Sequence, residues 1–320
     1  MSKAKKILAL SGGVGGAKLA TGLAAVLAPD ELCIVANTAD DFIHLGLSIS
    51  PDLDTVMYNL AGLNNKQQGW GLAGESWQFM ESLKRLGGED WFLLGDQDLA
   101  THIQRSALLN EGKSLTEVTA LLAHRLDLAP QLLPMTNDRV STRMVTDQGD
   151  LSFQHYFVRE RCEPLVSAYY FEGIDGAQPQ EDFIALLQDP DLAAIIICPS
   201  NPFVSVEPIL SLAGVTEHMK ESPAPVIAVS PIIAGQALKG PAAKMMSELN
   251  MPCSATAVAA LYGDLLDGFV IDTEDAALLD EIRAGGIPAK ACATIMRSMD
   301  SKKDLAREVL SFAEELMCQP

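Results

Sequence analysis

Lys5-Lys6-Ile7-Leu8-Ala9-Leu10 followed by Ser11-Gly12-Gly13-Val14-Gly15-Gly16 and then Ala17 to Leu27 is the stretch that decides the fold. The first six residues read as a short buried strand, the glycine run as a turn, and the last segment, rich in strong helix formers, as a helix. Glycines let the backbone come close to a ligand, and the amides and partial positive charge of a helix N-terminus attract phosphate. Lys18 stands in the first turn of that helix. The spacing matches neither the P-loop nor the dinucleotide fingerprint. Two readings therefore stay open: Gly12, Gly13, Gly15, Gly16 and Lys18 bind phosphate, or the glycines make a tight turn with close helix packing.

Outward from this unit the same pattern repeats. Leu32 to Ala36, Gln131 to Met135, Ala193 to Cys198, Pro225 to Ser230, Gly268 to Ile271 and Lys290 to Ile295 read as strands, with helical segments between them and a last helix over Lys302 to Met317. Such alternation predicts an α/β, Rossmann-like three-layer sandwich with a mostly parallel sheet and helices on both faces. The whole of 1–320 reads as one α/β domain. Within it, residues 55–130 are mainly helical, including a capping box at Ser114 and Glu117, and are expected to form a cap-like insertion covering the site. Arg143 to Val158 alternates like a hairpin turning at Gln148-Gly149-Asp150. Apolar runs end repeatedly in small or polar residues: Ser11-Gly12-Gly13, Asn37 to Asp41, Gly95-Asp96 after Trp91 to Leu94, Ser200-Asn201, Ser230-Pro231 and Asp272. In open α/β sheets ligands bind at the carboxyl ends of the strands, so these ends are expected to converge on one crevice.

The acidic segment after the second strand carries the chemistry. Asp40, Asp41, Asp52 and Asp54 crowd into fifteen residues, where like charge calls for a cation or a ligand. Carboxylates beside a phosphate loop suit magnesium, which bridges protein oxygens to phosphates. The bland alternative makes Asp40, Asp41 and Asp52 caps and turn residues, and Asp54 an N-cap of the helix starting near Thr55. Arg139, Arg143 and Lys244 are candidate phosphate contacts set against ordinary surface charge. Trp70, between glycines, either stacks on a flat ring or anchors packing. His44 and His102 read as structural residues, and no nucleophile elbow is present.

Composition removes several classes. With 48% hydrophobic and 20% charged residues the chain has the makeup of a compact globular protein, and no apolar run is long enough to span a bilayer. Met1 to Lys6 with Ile7 to Leu10 makes no signal peptide, which points to the cytoplasm. A formal net charge of -19 argues against nucleic acid and anionic membranes as partners. The six cysteines are scattered with no metal spacing, so free thiols are expected.

Taken in order, Ser11-Gly12-Gly13-x-Gly15, Asn37-Thr38-Ala39-Asp40-Asp41, Pro51-Asp52-Leu53-Asp54-Thr55, Gly95-Asp96-x-Asp98-x-Ala100-Thr101-His102, Leu133-Pro134-Met135-x-x-Asp138, Pro199-Ser200-Asn201-Pro202 and Val229-Ser230-Pro231-Ile232 resemble the CofD-like 2-phospho-L-lactate transferases over nearly the whole chain. The resemblance implies a phosphotransferase of coenzyme F-420 biosynthesis. Such an enzyme moves a phospho-carboxylate moiety, of 2-phospholactate, phosphoenolpyruvate or 3-phosphoglycerate type, from a guanosine diphosphate conjugate to the ribityl hydroxyl of 7,8-didemethyl-8-hydroxy-5-deazariboflavin, releasing GMP. It implies magnesium as cofactor and a homodimer. By the same resemblance the glycine loop, Asn37, Thr38, Ser200 and Asn201 hold the nucleotide, while Asp54, Leu93, Asp96 and Trp70 meet the deazaflavin. Asp54, with Asp40 or Asp41, is the expected metal ligand, and Asp54, Asp41 and Asp52 are the expected catalytic carboxylates. The alternatives are a nonenzymatic nucleotide-sugar-binding regulator of the related gluconeogenesis-factor type and, more weakly, a dinucleotide oxidoreductase.

Overall fold

The computed structural model describes residues 5–318, so Met1 to Ala4, part of the stretch read above for a signal sequence, lie outside the described residues. The glycine unit forms as β1 (Lys6–Ser11) and α1 (Gly13–Ala24). The helix begins four residues earlier than the run of strong helix formers. The reason is contact: a Cβ on Gly15 would collide with the Pro199 carbonyl oxygen, so the first turn of α1 can pack on that loop only without side chains.

Six further strands join β1 in one sheet: β2 (Leu32–Ala36), β3 (Gln131–Pro134), β4 (Leu192–Ile197), β5 (Val226–Val229), β6 (Gly268–Asp272) and β7 (Ala289–Cys292). Their order is β7-β6-β5-β4-β1-β2-β3, and every pairing is parallel. Alternate side chains of β1 go to opposite faces. Leu8 and Leu10 join one buried cluster with Phe203, Ile209, Met245 and Val258, whereas Ile7 and Ala9 join another with Leu19, Val56, Leu305 and Val309. Both faces are covered, as continuous apolar strands require, and the three-layer α/β architecture expected from the alternation is present.

The chain lays down β1, β2 and β3 in one direction, then returns to place β4 against β1 and builds outward the other way. The sheet therefore has a topological switch point between β1 and β4, where a crevice opens at the carboxyl ends. Between β2 and β3 lie the helices α2 (Pro51–Leu60), α3 (Gln78–Arg85), α4 (Asp98–Asn110) and α5 (Leu115–Arg125). No helix among the described residues is long and apolar enough to cross a membrane.

Two local expectations differ from the structure. Trp91 to Leu94 is not a strand, and Gly95-Asp96 does not lie at an end of the sheet. Trp91 and Phe92 instead pack around Phe42 and His44 of the short hairpin Phe42–His44/Leu47–Ile49, with ring centroids 4.9 to 6.0 Å apart. The expected hairpin after Arg143 does form, pairing Ser141–Thr146 with Gly149–Ser152, but its second strand stops there. Residues His155–Arg159 turn into a short helical segment because Phe153 and Tyr156 are drawn into the core.

Candidate active site

The switch point gathers four segments. Gly12 N donates to Ser200 Oγ at 3.0 Å, which joins the loop after β1 to the loop after β4. Gly13 N donates to Asp52 Oδ1 at 2.7 Å, and Asn37 Nδ2 donates to Asp52 Oδ2 at 3.0 Å and to the Val204 carbonyl at 3.2 Å. Asp52 thus caps α1 from a distance, its carboxylate answering the positive end of that helix. Asn201 caps the turn Pro202–Val206 by accepting from Phe203 N at 3.0 Å. The two readings of the glycine run are therefore not exclusive in space. Gly15 serves close packing, while Gly13, with φ +61°, has open space where a Cβ would stand.

Asp40, Asp41 and Asp52 form a crescent of carboxyls. Burial, then the charges of Asp52 and Asp41, push Asp40 well above the usual carboxylate range against hydrogen bonds from Asn37 and Thr142. Burial likewise raises Asp41, although Ser50 Oγ donates to its Oδ2 at 2.6 Å and Arg105 lies near. Asp52 is pushed up to about 6 by burial, held back by Asn37 and the Gly13 amide. Among the described residues, Asp41 Oδ1, Thr38 Oγ1 and Ser11 Oγ are buried without a hydrogen-bond partner. Orphaned oxygens beside raised carboxyls fit a hard, oxygen-seeking cation.

Asp54 is held differently. As the fourth residue of α2 it is no N-cap, and it is paired through both oxygens with Arg105 of α4, the Oδ2 to Nη1 distance being 3.0 Å. Both partners are buried, at 5% and 2% exposure, so this ion pair is sheltered from water. His102 Nδ1 lies 3.6 Å from Asp54 Oδ2 and its Nε2 lies 3.3 Å from Asp98 Oδ2, while Tyr58 Oη donates to Asp98 Oδ1 at 2.6 Å. Burial alone would raise Asp98, but His102, Tyr58 and Arg105 together outweigh it and hold Asp98 low. Burial, then Asp54 and Asp98, pushes the Tyr58 hydroxyl far up, so it stays a donor.

Asp54, Asp98 and His102 offer ligand atoms within 4.8 Å of one another. Their lone pairs are nevertheless largely taken by Arg105 and Tyr58, and a cation there would have to displace a guanidinium. Of the two expected partners of Asp54 as a metal ligand, Asp40 groups with Asp41 and Asp52, whereas Asp41 also feels the charges of Asp54 and Arg105.

The other candidates fall apart in space. Asp96 accepts from Ser76 Oγ at 2.5 Å, Gln78 N at 3.2 Å and Phe79 N at 3.0 Å, so it ties down the start of α3. Trp70 and Leu93 expose apolar surface, and Trp70 stands edge-to-face on Trp77. Lys18 is half-buried one turn along α1. Arg143 pairs with Asp150 and Lys244 with Glu248, the bland outcome for both. Sequence reasoning missed Arg105, Tyr58 and Asp98 and set His102 aside. A signal existed: Asp98, His102 and Arg105 are spaced i, i+4, i+7, and Asp54 and Tyr58 i, i+4, which puts each set on one helix face.

Residues 7–303 match the family described as "2-phospho-L-lactate transferase CofD". The chain is 40% identical over 318 residues to the phosphoenolpyruvate transferase of Kitasatospora aureofaciens, covering 97% of this chain and 98% of that protein. It is 38% identical over 306 residues to the 2-phospho-L-lactate transferase of Methanosarcina acetivorans, covering 96% and 98%. Among solved structures, a member of the UPF0052 family from Bacillus halodurans has a TM-score of 0.64 at 13% identity, covering 97% of this chain and 100% of that one, a likeness of fold alone. The resemblance carried by the ordered motifs is borne out over nearly the whole length, and the chain belongs to the CofD family of transferases.

Proposed function

We propose that the protein transfers a phospho-carboxylate moiety from a guanosine diphosphate conjugate to the ribityl hydroxyl of 7,8-didemethyl-8-hydroxy-5-deazariboflavin, with release of GMP. The observation that supports this best is the crescent of Asp40, Asp41 and Asp52 at the switch point of the sheet, beside a glycine loop. Attack by an alcohol on phosphorus needs in-line positioning and neutralised charge more than covalent help. Asp40 and Asp41 would hold a magnesium ion, which when bound supplies positive charge to the phosphates. Asp52 keeps the glycine loop and Asn37 in register. Asp54, fixed by Arg105, orients the start of α2.

The named relatives differ in the acid, phosphoenolpyruvate in one and 2-phospho-L-lactate in the other. Incubation with the deazaflavin and guanylylated forms of both acids and of 3-phosphoglycerate, followed by mass spectrometry, identifies the donor. Release of GMP with a phosphorylated deazaflavin product is the expected result, and no turnover with any donor removes the proposal. Sedimentation of the purified chain tests the homodimer.

A further inference from the structure

Val14, Lys18 and Gly22 recur every four residues and share one face of α1. Each end of that face meets a segment carrying another lysine. At the N-terminal end a Cβ on Gly69 would touch Val14 Cγ1 at 3.5 Å and collide with Lys239 Nζ, and that Nζ donates to the Gln68 carbonyl at 2.9 Å. At the other end a Cβ on Gly22 would collide with the carbonyl of Lys302, in the first turn of the C-terminal helix Met299–Met317. Lys66 belongs to the same loop as Gln68 and Gly69.

Lys18 lies between these ends, and the charges are felt across them. Burial and then Lys239 lower Lys18, and burial followed by Lys18 and Lys66 lowers Lys302. Among the described residues none of the four makes an ion pair. In a chain with 42 acidic and 23 basic residues, an unpaired group of lysines that repel one another stands out. Meanwhile Asp52 already takes the Gly13 amide at the head of α1, so the helix terminus has less to offer an anion than a bare glycine loop would.

We infer that Lys18, Lys66, Lys239 and Lys302 form a clasp for a polyphosphate, occupied in the proposed reaction by the diphosphate of the guanosine donor. The occupant rests on the proposed function; the clasp does not. Ammonium groups suit this task because each is a compact charge with three donors and imposes no planar geometry on the phosphate. Lys66 and Lys239 are exposed and Lys18 and Lys302 half-buried, so the outer pair can close on a ligand, Lys239 by giving up its bond to the Gln68 carbonyl, while the inner pair holds it.

Calorimetric titration of the whole chain with pyrophosphate, GDP and GMP tests this. The variants are Lys239→Ala, Lys18→Met and the conservative Lys239→Arg, each checked by its melting temperature. Each lost lysine should weaken pyrophosphate and GDP about tenfold, GMP much less, and Lys239→Arg should retain most of the affinity. Equal GDP and pyrophosphate affinity in wild type and Lys239→Ala overturns the clasp, even should Lys18→Met fail to fold. Lysine-dependent binding of pyrophosphate without any binding of guanosine nucleotides keeps the clasp and sinks the nucleotide reading. A wild-type chain that binds neither pyrophosphate nor GDP overturns both.

Discussion

Replacing Arg105 with Met should be among the most damaging single changes in this protein. Arg105 is 2% exposed, and its guanidinium holds both oxygens of Asp54, itself 5% exposed. Removing one partner of a buried pair leaves the other charge with neither water nor a counter-ion, a loss of about 3–5 kcal/mol. His102, 3.6 Å from Asp54, offers partial relief, and Arg105 also donates to the Ser48 carbonyl at 3.4 Å, a long contact that adds little. We therefore expect Arg105→Met to lower stability by about 4 kcal/mol. Asp54→Asn should cost a similar amount, because it strands the guanidinium instead. The double variant removes both charges and should be less destabilised than the sum of the singles, with a coupling of about 2–3 kcal/mol. Urea denaturation of the four proteins without metal, followed by circular dichroism, measures the cycle. A loss below about 1 kcal/mol for Arg105→Met, or singles that simply add, would refute the reasoning, since a pair worth so little is effectively solvated.

Three other outcomes follow from the geometry. Asp41→Asn should weaken magnesium binding and cut turnover at least about tenfold; because burial raises Asp40 and Asp41, a cation must displace protons that these groups hold below their raised values, so binding should weaken as pH falls. Calorimetry in two buffers of different ionisation enthalpy detects the released proton, and identical heats would contradict it. Gly15→Ala should cost about 1–3 kcal/mol through collision with the Pro199 carbonyl, whereas Gly13→Ala, with open space but φ +61°, should cost only about 1–2 kcal/mol of backbone strain; thermal melts rank the two, and the reverse order would mean α1 can retreat from the loop. Asp96→Ala should lower the melting temperature by freeing Ser76, Gln78 and Phe79. If Asp96 instead contacts deazaflavin directly, the KM for that substrate will rise while stability holds.

The central sheet was legible because β1, β2 and β4 are buried on both faces and so are written as unbroken apolar runs ending in small or polar residues. The switch point between β1 and β4 was not legible as such, since strand order depends on which helix covers which face. Trp91 to Leu94 shows the limit of the method. Four apolar residues in a row fit a strand or an aromatic cluster equally, and here Phe42 and His44 of a distant hairpin decide it. The acidic segment was legible as a site, but its partners were not. Arg105 reaches Asp54 only because α4 docks on the hairpin that precedes α2, where Ser48 N donates to Ser106 Oγ at 2.7 Å. A search for apolar periodicity passes over the polar stripe Asp98, His102, Arg105, though the stripe has the same helical period.

Those partners also divide the negative charge of the segment in a way that its spelling conceals. Asp54 is neutralised by Arg105, and Asp52 is held by an amide and an asparagine at the head of α1. Asp40 has Thr142 and Asn37, and Asp41 has Ser50 and the more distant charge of Arg105, to set against burial and neighbouring carboxylates, and Asp41 keeps one oxygen unpartnered. Four aspartates of like appearance therefore do three jobs: anchoring α2 to α4, capping α1, and leaving one pair of carboxyls in need of a cation. Along the flank of the same α1 stand lysines without ion-pair partners among the described residues. In the proposed reaction a magnesium diphosphate would answer both, with Asp40 and Asp41 holding the metal and Lys18 near the phosphates. On that view α1 is the element the site is built around, with acidic residues at its head and basic ones along its flank.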